Sequence, residues 1–204
     1  AEDIWCVVMA SVVSREAYFD TGLEVLADAG FGGLKLAVVC NRLGVTTGSF
    51  YHYFSNWGHY TRELIEHWGQ STHKRVAALQ AITDPTDRIR KITHVGLNLP
   101  HEADAAIRTW ASVDPEVRAA QVEVDFERFE VIRTAAREIV RNDRQSRIFA
   151  ELAVYLLTGY EQSTLPHQSE DLAWMFNRLI DDLIGGHWAE PSSPEVVTDG
   201  AEPA

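Results

Sequence analysis

The stretch that most constrains the fold runs from Leu36 to Phe54 and reads LAVVCNRLGVTTGSFYHYF. It contains two short segments with apolar residues at helical spacing, joined by a Gly-Val turn. Gly44 can adopt the positive φ that ends the first helix, and Val45 can pack in the corner between the helices. Thr46 can cap the second helix by accepting a hydrogen bond from a free backbone N–H. This layout predicts a helix-turn-helix, in which the leading end of the second helix meets base edges in the major groove of DNA.

The distribution of charge agrees with a DNA-binding surface in this stretch. The chain carries 18 Lys and Arg against 30 Asp and Glu, a net charge of −12, yet the segment from Ala29 to Arg62 contains no acidic residue. An acidic protein must keep carboxylates away from a surface that approaches phosphate, because repulsion would cancel the gain from counterion release. The alternative is a buried hydrophobic hairpin that lacks acids by chance.

The residues expected to contact DNA carry hydroxyl groups or positive charge, or are small enough to let the backbone approach. Hydroxyls at the leading end of the second helix can reach base edges, whereas Tyr51 and His52 can reach phosphate. The alternatives are helix capping for the hydroxyls and packing against the first helix for Tyr51 and His52. The predicted contacts are Lys35, Arg42, Thr46, Thr47, Gly48, Ser49, Tyr51 and His52.

The rest of the chain also has helical spacing, and no segment alternates with period two for long enough to demand a strand. Capping residues, glycines and prolines divide it into about nine helices. Besides the two helices of the turn motif, these cover residues 14–29, 57–81, 86–99, 101–112, 116–142, 143–160 and 170–187. We therefore predict an all-α protein, with an N-terminal three-helix DNA-binding domain and a C-terminal helical bundle.

Four regions are expected along the chain. Residues 1–13 are predicted to be a disordered arm, since they are too short to span a bilayer and begin with acidic rather than basic residues. An alternative is that Met9 is the genuine start and the preceding residues are not native. Residues 14–60 would form the DNA-binding domain and residues 61–188 the ligand-binding and dimerisation domain. Residues 189–204 are rich in Pro, Ser and Glu, which predicts a disordered tail.

Motifs around the turn form a recurring pattern. Gly30 and Phe31 are followed by a helix, then by Gly44 and Val45, and then by the run TGSFYHYF at residues 47–54. This pattern resembles the TetR family of bacterial transcription regulators. A weaker likeness to the ligand-binding half of that family runs through RTWA, DPEV and AVYLLTG further along the chain. The resemblance implies a dimeric regulator, most often a repressor, that a small ligand releases from a double-stranded DNA operator.

The chain departs from the family pattern at two positions of the motif. Leu36 stands where the family usually has Thr or Ser, and Trp57 stands where it usually has a lysine that holds phosphate. Each change removes a cap or a phosphate contact, so DNA binding would depend more on Lys35, Arg42, His52 and His59. The departures also motivate a second interpretation, a small-molecule-binding or interaction module whose DNA-binding half has decayed.

Aromatic residues are frequent in the C-terminal half. Helices that carry them can enclose a mostly apolar cavity, which would take a flat or apolar ligand. The alternative for each residue is an ordinary filled core. The predicted ligand-binding residues are Trp110, Phe126, Phe129 and Phe149.

The last two helices carry apolar residues on more than one face and must therefore be covered on several sides. A two-fold interface of four helices would cover them, and a dimer would read enough bases for useful specificity. The alternative is burial inside one subunit. The predicted interface residues are Leu152, Leu156, Phe176, Leu179 and Leu183.

Signatures of enzymes and of metal sites are missing from the sequence. His101 lacks the second histidine of a zinc-binding helix, there is no glycine-rich phosphate loop, and the eight histidines are scattered. We expect no catalytic activity, metal, cofactor or membrane partner. Cys6 and Cys40 do not make a disulfide framework, which is typical of a reducing cytoplasm.

Overall fold

In the computed structural model, which describes residues 13–188, the chain forms nine α-helices and no strand within that range. The all-α prediction is confirmed, and the helix boundaries agree with the predicted ones to within a few residues. The predicted arm and tail, residues 1–13 and 189–204, lie outside the described residues except for Val13. The helices are α1 (Arg15–Gly33), α2 (Leu36–Leu43), α3 (Thr47–Tyr53), α4 (Trp57–Gln80), α5 (Pro85–Leu97), α6 (His101–Ala111), α7 (Pro115–Val140), α8 (Asp143–Gln162) and α9 (Ser169–Ile184).

Helix α1 begins and bends where the sequence predicts. The hydroxyl of Ser14 accepts a hydrogen bond from the backbone N–H of Ala17 at 3.2 Å, which caps the helix. Gly30 has φ 65° and ψ −176°, so the helical conformation is interrupted there before one more turn. Positive φ is cheap only for glycine, which explains the residue at the bend.

Helices α1 and α3 and the start of α4 are held together by aromatic rings. Tyr18, Phe50, Phe54 and Tyr60 are all buried, with ring centroids 5.0–5.8 Å apart, mostly edge to face. The hydroxyl of Tyr60 donates to the backbone carbonyl of Tyr18 at 2.8 Å. This core fixes α3 against α1 and presents one side of α3 to solvent.

The core continues across the boundary predicted at residues 60 and 61. Helix α4 is unbroken there, and its residues Leu64 and Trp68 belong to the same buried cluster as Tyr60 and Ile107. The remaining helices pack around α7, with smaller apolar clusters between α5, α7, α8 and α9. The N-terminal helices are therefore joined directly to the C-terminal bundle through α4 and α6.

Candidate DNA interface and ligand cavity

The turn between α2 and α3 has the geometry that the sequence predicts. Gly44 is left-handed, with φ 66° and ψ 30°, and the backbone N–H of Val45 donates to the carbonyl of Cys40 at 3.0 Å. The hydroxyl oxygen of Thr46 accepts from the backbone N–H of Ser49 at 3.2 Å, which caps α3. Both predicted caps are confirmed, and they fix the angle at which α3 leaves the turn.

The leading end of α3 is accessible. Thr46, Thr47 and Gly48 are exposed and Ser49 is half-buried, while Phe50 anchors the helix from behind. A Cβ added at Gly48 would meet only the Thr46 hydroxyl, at 3.5 Å, which is an ordinary contact. Nothing within the chain therefore requires glycine at this position, although glycine weakens a helix by about 1 kcal/mol relative to alanine.

The next turn of α3 exposes two more predicted contacts. Tyr51 is 54% exposed and His52 is also exposed. The ring of Tyr51 meets Phe50 edge-on, with ring centroids 5.4 Å apart, so the tyrosine is supported on one side and open on the other. Phe54, by contrast, is buried, as expected for a core residue.

The charge pattern around the helices differs from the sequence expectation at Arg42. Its guanidinium lies 2.6 Å from the carboxylate of Asp28 and 3.9 Å from that of Glu24, both on α1. The acid-free segment begins one residue after Asp28, so no local pattern indicated this pairing. Lys35 and Arg62 are exposed and have no acidic partner among residues 13–188. Within the acid-free segment, unpaired positive charge at the surface therefore comes from Lys35 and Arg62 and not from Arg42.

The departures from the family pattern have packing roles. Trp57 is half-buried, and its ring lies 4.9 Å from that of Tyr60 and 6.0 Å from that of Phe50, measured between centroids. Leu36 is half-buried against the same core. His59, expected to help hold DNA, instead pairs with the carboxylate of Glu63 at 3.1 Å.

A cavity of about 80 Å³ lies between the C-terminal helices. Helices α4 to α9 all contribute to its walls. Its apolar lining is Val76, Leu79, Ile89, Ile92, Val95, Leu99, Val131, Ile132, Phe149, Ala153, Val154, Leu157, Phe176, Leu179 and Ile180, and its polar lining is Thr72, Arg75, Thr93, Arg108, Asp125, Arg128 and Thr158.

The structure does not bring the four predicted ligand-binding aromatics together. Phe149 lines the cavity, whereas Phe126 is 62% exposed, and Phe129 is half-buried without reaching the cavity. Trp110 stacks on Phe31 of α1, with ring centroids 4.8 Å apart. The expectation of one aromatic-walled cavity is therefore corrected: the cavity is mainly aliphatic, because α7 turns a different face inward.

Charged residues that the sequence reasoning did not select meet beside the cavity. Asp104 is 2% exposed and accepts from the indole N–H of Trp68 at 2.8 Å and from Arg128 at 2.6 Å. Arg108 binds Asp125 through two hydrogen bonds, of 2.8 and 2.9 Å, and this pairing raises the pKa of Arg108. A sequence signal was present for Arg128, which lies four residues after Val124 and three before Val131 on an apolar face of α7.

A wider cleft opens between α4 and α7 on the outside of the molecule, with a volume of about 900 Å³. Trp110 borders it together with the acids Glu116, Glu123 and Glu127 and the cations Arg62 and Lys74. Because it is open to solvent and lined by many charged groups, it is a poorer match than the inner cavity to a site that buries most of a small ligand.

Helices α8 and α9 expose several large apolar side chains. We use the name α8–α9 surface for the exposed residues Leu152, Tyr155, Trp174 and Met175. Of the other residues predicted at a dimer interface, Leu156 and Leu179 are half-buried, whereas Phe176 and Leu183 are buried within the subunit. Burial within the subunit therefore accounts for Phe176 and Leu183, and sequence reasoning missed Trp174 and Met175.

Within residues 13–188, no three His, Cys, Asp or Glu side chains are placed so that they could hold a metal ion. None of the helices in this range is both long enough and apolar enough to cross a membrane.

Comparison with known proteins points in one direction. Residues 19–56 match the family model described as bacterial regulatory proteins, tetR family. The chain is 29% identical over 103 residues to the HTH-type transcriptional regulator BetI of Burkholderia lata, covering 48% of this chain and 52% of that protein. It is 26% identical over 102 residues to BetI of Yersinia pestis, covering 48% and 51%. The chain thus spans about half the length of the curated relatives it matches.

Solved structures share the fold over most of the chain. A putative transcriptional regulator from Saccharomonospora viridis in complex with choline superposes with a TM-score of 0.70 at 15% identity, covering 82% of this chain and 95% of that one. The transcriptional regulator FadR from Bacillus subtilis in complex with stearoyl-CoA gives 0.63 at 15% identity, covering 85% and 99%. At these identities the likeness establishes the fold.

Proposed function

We propose that this chain is a member of the TetR family of bacterial regulatory proteins and acts as a cytoplasmic, homodimeric, DNA-binding repressor that a small ligand releases from its operator. The observation that carries the proposal is the leading end of α3. It exposes Thr47 and Gly48 on a surface whose sequence is free of acids, and the glycine has no role within the chain. A missing side chain at that point leaves room for a DNA backbone or base edge to come close.

The α8–α9 surface supports the dimer. Its four large apolar residues are exposed in one subunit, and exposed apolar patches of this kind mark contact surfaces. Two-fold symmetry would place this patch against its own copy and set two α3 helices apart by a fixed distance. Operator half-sites one helical turn apart, or a multiple of that, would then match the protein.

Ligand and DNA would communicate through α4 and α6. Both helices line the cavity, through Arg75 and Arg108, and both reach the N-terminal core, through Tyr60 of α4 and the stack of Trp110 on Phe31. A ligand that shifts either helix would move the DNA-binding helices with it. Such coupling must be reciprocal, so DNA should weaken the binding of ligand by the same factor.

The decisive experiment exploits Gly48. Duplexes bound by the full chain would be selected from a random library, and affinity for the best duplex would be measured by fluorescence anisotropy. Gly48→Ala should weaken operator binding by about tenfold or more, since a methyl group at a close contact costs about 1.4 kcal/mol or more. The melting temperature of the variant should stay equal or rise, because alanine favours the helix.

Gly69→Ala is the matched control, because a Cβ there meets nothing within 4 Å and the residue lies on α4, away from α3. It should leave operator affinity unchanged. If no duplex is enriched, or if both variants bind like the wild type, DNA is not the partner of this surface. The protein would then be the small-molecule-binding or interaction module.

The dimer has its own test in Trp174, which is 68% exposed. Trp174→Arg should convert a dimer into a folded monomer at micromolar concentration, since a buried aromatic anchor contributes about 2 kcal/mol or more to an interface. Sedimentation velocity measures the mass. Val113→Arg, which changes another exposed apolar residue away from α8 and α9, should remain dimeric. A monomeric wild type would contradict the proposal.

A further inference from the structure

The cavity between the C-terminal helices carries more positive than negative charge. Three guanidinium groups line it, those of Arg75, Arg108 and Arg128. Arg108 is bonded to Asp125, and Arg128 is bonded to Asp104. Two carboxylates are thereby committed to two of the three arginines, and one positive charge is left over.

The remaining charge belongs to Arg75. Its guanidinium donates only to two hydroxyls on its own helix, Ser71 at 2.9 Å and Thr72 at 3.0 Å. Among residues 13–188 no carboxylate lies within ion-pair distance of it. Burial lowers the pKa of Arg75 and the nearby charge of Arg128 lowers it further, while the carboxylate of Asp104, which is bonded to Arg128, acts in the opposite direction. A partly buried cation without a counter-ion costs stability, so the fold retains a charge that its own packing does not need.

Neighbouring groups do not remove this excess. Glu161 also acts on Arg108, but its carboxylate is hydrogen-bonded to His101 at 3.2 Å and raises the pKa of that imidazole, so the pair carries little net charge when His101 is protonated. The cavity therefore offers one cation, Arg75, that forms no ion pair within residues 13–188.

We propose that this cavity binds a short-chain monocarboxylate, with its carboxylate on Arg75 and its carbons against the aliphatic wall of Val131, Phe149 and Ile180. The inference rests on the proposed function in that the carboxylate would be the ligand that releases DNA. A carboxylate accepts two hydrogen bonds from a guanidinium at once, which is the geometry that arginine favours.

The size of the cavity limits the ligand. At about 80 Å³ it has roughly half the volume of an engineered cavity of 150 Å³ that holds benzene. This leaves room for a carboxylate with about two to four carbon atoms. The charge excludes a cation of similar size, and the only aromatic residues among those lining the cavity are Phe149 and Phe176, too few for an aromatic cage.

The test compares three probes that have the same number of heavy atoms: propionate, propionamide and tetramethylammonium. Thermal unfolding and isothermal titration calorimetry of the full chain, without DNA, measure the binding. Propionate should raise the melting temperature saturably, as expected for mass action, while the amide and the cation should not. Arg75→Gln should weaken propionate binding by about ten- to a hundredfold, as for loss of a charged hydrogen bond.

Two variants make the result specific. Lys74→Gln removes a charge from the neighbouring residue, which faces the outer cleft, and should leave binding unchanged. Arg75→Lys keeps the charge and should retain part of the affinity for propionate. If both Arg75 variants lose propionate binding but unfold at the same temperature as the wild type, the site is still assigned to this residue. Equal stabilisation by propionamide, or binding that is lost in Lys74→Gln and kept in Arg75→Gln, would overturn the proposal.

The outcome is independent of the DNA experiment. If the chain binds an operator but propionate does not bind the protein, the carboxylate inference fails and the proposed function stands. If propionate binds the protein but no duplex does, the carboxylate site stands and the proposed DNA-binding function fails.

Discussion

The two halves of the molecule differ in the kind of residue that forms their interiors. The N-terminal half closes around aromatic rings, with Tyr18, Phe50, Phe54 and Tyr60 buried and in mutual contact. The C-terminal half surrounds a cavity and buries ionic residues such as Asp104, whose side chain is bonded on both oxygens. One half is packed around aromatic rings, and the other encloses a cavity.

This difference matches the two tasks that we propose. A helix that reads base edges must be held at a fixed angle, and dense aromatic packing provides this. A half that responds to a ligand needs space and groups whose interactions change when the space is filled. Two ion pairs join α6 to α7, and the indole N–H of Trp68 on α4 donates to Asp104 of α6, so these contacts lie on the route that would link the cavity to the N-terminal helices.

The largest effect is expected from breaking the ionic cluster of the C-terminal half. Asp104→Ala would leave the guanidinium of Arg128 and the indole N–H of Trp68 without their partner. Removing one member of a buried ion pair typically costs about 3–5 kcal/mol. Urea denaturation measures the change in the free energy of unfolding.

The matched control is an exposed pair. Glu151→Ala removes the partner of Arg147 one helical turn away, where both side chains are accessible. Its cost should be about 0.5 kcal/mol or less. Equal costs for Asp104 and Glu151 would show that the ionic cluster does not differ from ordinary surface charge and would remove one side of the comparison between the halves.

Adding one methyl group to each half should change the free energy of unfolding by a smaller amount, and the change should have opposite signs in the two halves. A Cβ at Gly22 of α1 would lie 2.2 Å from the hydroxyl of Tyr60, whereas a Cβ at Gly96, beside the cavity, meets nothing within 4 Å. Gly22→Ala should destabilise the protein by about 1–3 kcal/mol through overpacking. Gly96→Ala should be neutral or stabilise it by up to about 1 kcal/mol. Differential scanning calorimetry separates the two.

Shifts of the same sign for these two alanine variants would contradict the contrast between a filled half and an open one. A stabilised Gly96→Ala variant should also bind small ligands less tightly, because its methyl group occupies part of the cavity. Titration calorimetry with propionate, the probe of the cavity proposal, measures that loss.

Local signals explain why the DNA-binding half was predictable. The cap at Thr46 and the left-handed Gly44 depend on a few neighbouring residues, and each was found as expected. The pairing of Arg42 with Asp28 was not predictable, because the two residues meet only when α2 packs across α1. Burial of Trp57 likewise depends on that packing.

Predicting the cavity lining and the outer surfaces required a choice between two apolar faces of the same helix. Helix α7 has two apolar stripes, and the structure buries Val117, Val124 and Val131 while it exposes Val122 and Phe126. Hydrophobicity alone favoured the stripe that contains Phe126 as the one facing the cavity. Which stripe faces inward is decided by the helices that pack against α7, and one sequence does not contain that information directly.

Helix α9 presents the same ambiguity. Phe176 and Leu183 have the spacing of an interface, yet they fill the subunit's own core, and Trp174 and Met175 face outward. The sequence indicated correctly that the helix is apolar on several sides. It could not say which side is covered by the same chain, and the identity of the interface residues stays a prediction.

The central claim, that the α2–α3 surface binds DNA through its exposed positive charge, is tested most directly by the salt dependence of operator affinity. The selected duplex would be titrated by fluorescence anisotropy at several salt concentrations. Wild-type affinity should fall steeply with salt, and Lys35→Gln should reduce the slope of log affinity against log salt by about one, as for loss of one phosphate contact. Arg42→Gln, whose charge is already paired with Asp28, should reduce it less. Affinity that does not change with salt, or a slope that is the same in wild type and Lys35→Gln, would contradict the account.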